Sequence, residues 1–156
     1  MKKPETRAAD DTTPVISDEN LRQFIGYNMK RAFLLVREDM ARAIEPLGLR
    51  MMTFSALAIV VENPDISQTQ LSQALSLDRS GMVVLVDDLE NADLITRNRV
   101  PGNRRAYALR TTLKGQRVWK KADAAVRDHE ARLFSNLNAE DLDRLRMTLR
   151  ALSSPS

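Results

Sequence analysis

The residues best suited to chemistry in this chain are arginines and lysines, and the chemistry they offer is anion binding. From Leu94 to Lys121 the sequence carries Arg97, Arg99, Arg104, Arg105, Arg110, Lys114, Arg117, Lys120 and Lys121, nine cations with no Asp or Glu among them in 28 residues. Charge runs are usually solvated surface in which both signs mix. An acid-free block of this length concentrates a positive field of the kind a phosphate backbone attracts. Asp87, Asp88, Glu90 and Asp93 lie just before it, and the net charge of the whole chain is only +3, so the distribution carries the signal. Catalytic chemistry has little to work with. There is no cysteine, which excludes disulfides, thiolate metal sites and thiol redox sensing. The one histidine, His129, falls on an apolar stripe, where a satisfied core or interface histidine is the simpler reading. The five glycines are scattered and build no phosphate-cradling loop. No catalytic residues, metal site or cofactor are expected, and an enzyme is a remote reading.

The elements that must position the cations follow from periodicity and capping. Residues 1–16 hold charges, threonines, Pro4 and Pro14 and read as a disordered tail. Ser17 or Asp18 can cap a long helix whose apolar stripe includes Leu21, Phe24, Ile25, Met29, Phe33, Val36, Met40 and Ile44, ending near Pro46-Leu47-Gly48. Such a helix needs a partner surface. A second helix is expected from about Met52 to Val61. Ser67 and Gln70 have the spacing of a capping box, opening a short helix to about Leu75. After the turn Ser76-Leu77-Asp78, Asp78 can cap a helix to about Asn91 that buries Met82, Leu85, Val86 and Leu89. Its outward face is then Ser80, Gly81, Val83, Val84, Asp87 and Asp88. Leu94–Arg97 and Arg105–Leu109 read as two strands joined by a turn at Val100-Pro101-Gly102-Asn103. A helix from about Thr112 carries Val118, Ala122, Ala125, Val126, His129 and Leu133, and Asn138 can cap a last helix lined by Leu142, Leu145, Leu149 and Leu152. The fold class expected is mainly α: a winged helix-turn-helix with a two-stranded β-wing. In that arrangement one helix props the next so that the second can lie in a major groove.

The ordered set Gln70-Leu71-Ser72-Gln73-Ala74-Leu75, Leu77-Asp78-Arg79-Ser80, Leu85-Val86-Asp87-Asp88-Leu89-Glu90, Leu94-Ile95-Thr96-Arg97, Asn103-Arg104-Arg105-Ala106 and Thr112-Leu113-Lys114-Gly115 resembles the MarR family of bacterial regulators, from about Leu21 to Leu152. The resemblance implies a sequence-specific DNA-binding transcriptional regulator that acts as a homodimer on a palindromic operator and is released by a small organic effector. An aromatic acid or its thioester is the effector class such regulators suggest. It implies a dimerisation region from both chain ends (17–46 and 112–152) around a DNA-binding domain at 47–111. The family's usual wing Asp is here Asn103, and its usual outward Thr and Arg are Val83 and Val84. Two valines form no hydrogen bond to a base edge, although they could touch thymine methyls.

By the resemblance, Arg105 enters a minor groove from the wing, where narrow A·T tracts attract arginine. Arg99 and Arg104 suit phosphate contacts that position the wing. Arg97 could instead brace the wing on Asp87. Arg79, Ser80 and Gly81 occupy the first turn of the recognition helix, where side chains and amides meet DNA, although Ser80 could merely cap it. Thr69 and Gln70 are phosphate candidates. Met29, Phe33, Met51 and Phe54 are candidates for the ligand pocket that the family places between dimerisation helices and DNA-binding lobe. The rival reading is a winged-helix module that binds protein instead of DNA, favoured by the apolar Val83 and Val84 beside Asp87 and Asp88. No apolar run approaches the roughly 20 residues that span a bilayer, and no hydrophobic signal region opens the chain, so no membrane association and a cytoplasmic location are expected.

Overall fold

The computed structural model describes residues 16–100 and 103–153, with the backbone alone at 100 and 103–106. The segment 1–15, the wing-turn residues Pro101 and Gly102, and the side chains of Arg104 and Arg105 lie outside the described residues. The chain divides into two compact units, one ending at Phe33 and one beginning at Leu34.

In the first unit, Ser17 and Asp18 do not open a long helix directly. A 3-10 turn at Leu21–Gln23 comes first, and helix α1 spans Ile25–Ile44. The Asp18 carboxylate is committed elsewhere. It accepts from Arg22 Nε at 2.7 Å, Tyr27 Oη at 2.7 Å and Arg31 Nη1 at 2.5 Å. The Tyr27 hydrogen bond above all, then that of Arg22, lowers its pKa from 3.8 to about 2.

The second unit holds the core. Helix α1 ends in it at Ile44, followed by a 3-10 turn Glu45–Leu47 that Gly48 closes at φ 74°, the left-handed conformation glycine adopts without steric cost. Helix α2 (Met51–Glu62) buries Ala56, Leu57 and Val60. Helix α3 (Gln68–Ala74) starts at the expected box: Ser67 Oγ accepts from Gln70 N, and Gln70 Oε1 accepts from Ser67 N at 3.0 Å. Helix α4 (Arg79–Asn91) is capped by Asp78, whose carboxylate takes the Gly81 amide at 2.7 Å. That backbone bond holds the Asp78 carboxyl below the usual range. Met82, Leu85, Val86 and Leu89 are the buried face, as the spacing predicts.

The hairpin is longer than its apolar letters suggest, with strands β2 (Ile95–Val100) and β3 (Asn103–Thr111). A further strand, β1 (Ile66–Ser67), pairs with β3 as Ile66↔Leu109 and Ser67↔Ala108, giving a three-stranded antiparallel sheet in the order β1-β3-β2. Two residues carry too little pattern to read as a strand, and their partner lies some forty positions away. Helix α5 (Leu113–Leu133) is capped by Thr112 Oγ1 on the Gly115 amide, and helix α6 spans Ala139–Ser153 with Asn138 capping Asp141. The start of α5 is pressed against the root of the wing. Thr112 donates to the carbonyl of Asp93 at 2.7 Å, and a Cβ on Gly115 would stand 2.0 Å from the Leu94 carbonyl oxygen. Only glycine fits there.

His129 is a core histidine, 1% exposed, and its Nδ1–H donates to Asp39 Oδ2 at 2.5 Å, joining α5 to α1. That bond, then Arg42, holds the Asp39 carboxyl below its ordinary range.

Candidate nucleic-acid interface

Because α4 buries one side, its other side is displayed. Val83 is 44% and Val84 60% exposed, while Leu89 on the far side is 1% exposed. Arg79 and Ser80 are exposed in the first turn. Ser80 Oγ donates to Asp78 Oδ1 at 2.9 Å, so it supports the cap and keeps only its lone pairs for a further partner. Gly81 has a local reason as well: a Cβ there would lie 3.2 Å from Asp78 Oδ1, crowding the capping carboxylate.

The two acids of the exposed face are tied down. Asp87 pairs with Arg97 of β2, which also reaches Glu90 Oε2 at 2.7 Å. The expected brace from wing to α4 is therefore present, with a second carboxylate in it. Asp88 Oδ2 accepts from Arg50 Nη2 at 2.5 Å. Removing Asp87, Asp88 and Glu90 as free charges leaves a face that tolerates phosphate. The cations of the basic block divide accordingly. Arg97 is internal to the brace, Arg110 is paired with Asp65, and Lys114 Nζ donates to the Ala92 carbonyl at 2.7 Å. Arg99 stands exposed on β2 with no ion pair among the described residues.

Two clefts flank Val83. One, of about 490 Å³, is lined by Ser67, Gln68, Thr69, Ser72, Arg79, Met82, Val83 and Tyr107. The other brings Gln68, Asp87, Glu90, Arg97, Arg99 and Tyr107 around the same valine. Thr69, Arg79, Val83 and Arg99 thus gather on one side of the unit. Gln70 is exposed with its carbonyl oxygen used in the cap, which leaves its NH2 as a donor. Gln68, Ser72 and Tyr107 were not legible as site residues, because the cleft exists only once β3 folds back over α3. The strand alternation that buries Leu109 puts Tyr107 on the same face, and that was the available signal. Of the pocket candidates, Met29 and Phe33 lie exposed in the first unit. Met51 and Phe54 lie one turn apart on α2 in the second, with the Phe54 ring 5.3 Å from that of Trp119.

This chain matches the family model described as MarR family over residues 47–106. It is also similar to a solved structure of the transcriptional repressor CouR bound to a 23-mer DNA duplex, with 32% identity and a TM-score of 0.86, over 90% of this chain and all of that one. The chain belongs to the MarR family. CouR from Rhodococcus jostii RHA1 bound to p-coumaroyl-CoA is similar too, at 29% identity and a TM-score of 0.78, over 87% of this chain and 96% of that one. Among curated relatives, the HTH-type transcriptional repressor Rv2887 of Mycobacterium tuberculosis (strain ATCC 25618 / H37Rv) is 27% identical over 130 residues, 83% of this chain and 94% of the relative. The winged helix-turn-helix of this MarR-family chain is the fold of a DNA-binding transcriptional regulator. No single helix among the described residues is long and apolar enough to cross a membrane.

Proposed function

We propose that this MarR-family chain is a cytoplasmic, homodimeric repressor that binds a palindromic operator and leaves it when a small organic effector binds. The observation that carries the DNA-binding part is the face of α4, propped by α3 and stripped of free negative charge by Arg97 and Arg50. Arg79, Ser80, Gly81, Val83 and Val84 face the major groove in this reading. Thr69, Gln70, Arg99 and Arg104 meet phosphate, and Arg105 enters the minor groove. The dimer reading is supported by large apolar side chains exposed among the described residues: Ile25 and Phe33 on α1 and, as a stripe on one side of α6, Leu145, Leu149 and Leu152. A soluble chain rarely leaves such a stripe in water unless a partner takes it up. The dimerisation region is accordingly assigned to 17–46 and 112–152, and the DNA-binding domain to 47–111.

The effector reading is an aromatic acid or its thioester. CouR is solved with p-coumaroyl-CoA, and in this chain Phe54 and Trp119 form an aromatic pair beside Met51 that could stack on such a ring. Release then requires that the effector bind the DNA-incompatible conformation more tightly than the bound one.

Titration of the purified chain against its own upstream DNA tests the reading. The observed association constant should fall linearly with salt on logarithmic axes, and Arg105→Ala, which removes one cation from each of two chains, should lower affinity and flatten that slope by about two. Two chains should be counted per site. Adding p-coumaroyl-CoA or salicylate as probes should raise the apparent Kd. A chain that ignores this DNA at low salt is not this regulator.

A further inference from the structure

We propose that the middle of α4 reads its DNA site by apolar contact, with Val83 and Val84 packed on thymine methyl groups in the major groove. This deepens the DNA-binding reading above and rests on it. The exposed face of α4 falls into two columns with the i, i+4 spacing of neighbours on a helix: Arg79, Val83, Asp87 and Ser80, Val84, Asp88. Each column has a polar residue in the first turn, a valine in the middle and a carboxylate at the far end. Both carboxylates are held by arginines from other elements, Asp87 by Arg97 of the wing and Asp88 by Arg50 at the start of α2. Ser80 has committed its one proton to Asp78. On these two columns Arg79 is therefore the one side chain still offering hydrogen-bond donors to a base.

The valines are not explained by the interior. Met82, Leu85, Val86 and Leu89 already fill the buried side, while Val83 and Val84 are exposed. Nor are they explained by helix formation, since Val is a poorer helix former than the Ala, Leu, Lys or Glu that an exposed position would take. A β-branched side chain in a helix is nearly confined to one rotamer, so its methyls are presented at fixed points. In the major groove the matching apolar feature is the C5-methyl of thymine, which cytosine and the purines lack. Val83 lies between the two clefts beside Tyr107, whereas Val84 lines neither. Val84 is the less obstructed reader.

The test uses the full-length chain. A binding site is first selected from a random-sequence duplex library at low salt. Each thymine in it is then replaced, one at a time, by uracil, which keeps every hydrogen-bonding edge and removes only the methyl. Affinity is read by fluorescence anisotropy. At one or two thymines of the selected motif, uracil should weaken binding about fourfold, the scale of one buried methyl-sized group. Val84→Ala should abolish the thymine–uracil difference at its position. Val84→Thr, which keeps the branching but trades a methyl for a hydroxyl, should reduce it. Both variants should keep the wild-type melting curve. A wild-type chain indifferent to uracil at every position overturns the inference and leaves DNA binding standing. Failure to enrich any duplex overturns both.

Discussion

Helices α4 and α6 both leave large apolar side chains in water, and they do so on different terms. In α4 the opposite face is complete: Met82, Leu85, Val86 and Leu89 are buried in the core, and the exposed pair Val83 and Val84 is bracketed by capped or paired polar groups. In α6 no residue is buried, and Leu145, Met147, Leu149 and Leu152 are all exposed. An isolated helix of that length is marginal in water. One helix has a complete buried face and leaves two valines exposed on the other. The other has no buried face among the described residues. Exposed hydrophobicity by itself does not distinguish the two; the state of the opposite face does.

The contrast predicts a hierarchy of effects. The largest belongs to the buried side of α4, where Leu89→Ala should cost about 2–5 kcal/mol in chemical denaturation, while Val84→Ala stays within about 0.5 kcal/mol. Equal costs would erase the distinction between the two faces. Next comes α6. Leu145→Asp combined with Leu149→Asp should convert a dimer into a monomer in sedimentation, and unchanged sedimentation would show that this stripe is not what a second copy covers. A smaller effect is expected at the brace. Arg97→Ala leaves Asp87 and Glu90 unpaired beside the wing and should reduce DNA affinity about tenfold by charge and misplacement together. Adding Asp87→Asn should recover part of that loss, and no recovery would mean that the arginine acts only by packing.

The smallest effect lies at the start of α1. The Asp18 carboxyl is depressed in the folded chain from 3.8 to about 2, so the order it supplies is fully present above about pH 4 and is lost as pH falls toward 2. Hydrogen-exchange protection factors at Tyr27–Arg31, corrected for the intrinsic pH dependence of exchange, should fall over that window in the wild type. In Asp18→Asn the protection should already be low at neutral pH, and a wild-type profile in that variant would remove the carboxylate as the cause.

What could be read in advance was whatever is decided within one helical turn. The Ser67–Gln70 box, the Asp78 cap, the Asn138 cap and the buried spacing of α4 depend on residues three or four apart, and all stand where the spacing put them. Arg97 with Asp87 was legible because both the charge reversal and the hairpin were visible. Long-range pairing was not. Asp18 looks like a cap by its type, yet its carboxylate is taken by side chains nine and thirteen residues on. Strand β1 and the Gln68–Tyr107 cleft depend on β3 returning to Ile66 and Ser67. The Arg50–Asp88 pair spans 38 residues, and no local rule connects its partners.

The contact between Gly115 and the Leu94 carbonyl has a mechanical consequence. A methyl on Gly115 would overlap the Leu94 carbonyl, so the first turn of α5 lies backbone to backbone on the wing root. The Thr112 hydroxyl on the Asp93 carbonyl fastens the same turn to the same root. A displacement of the first turn of α5 carries the root of the wing with it.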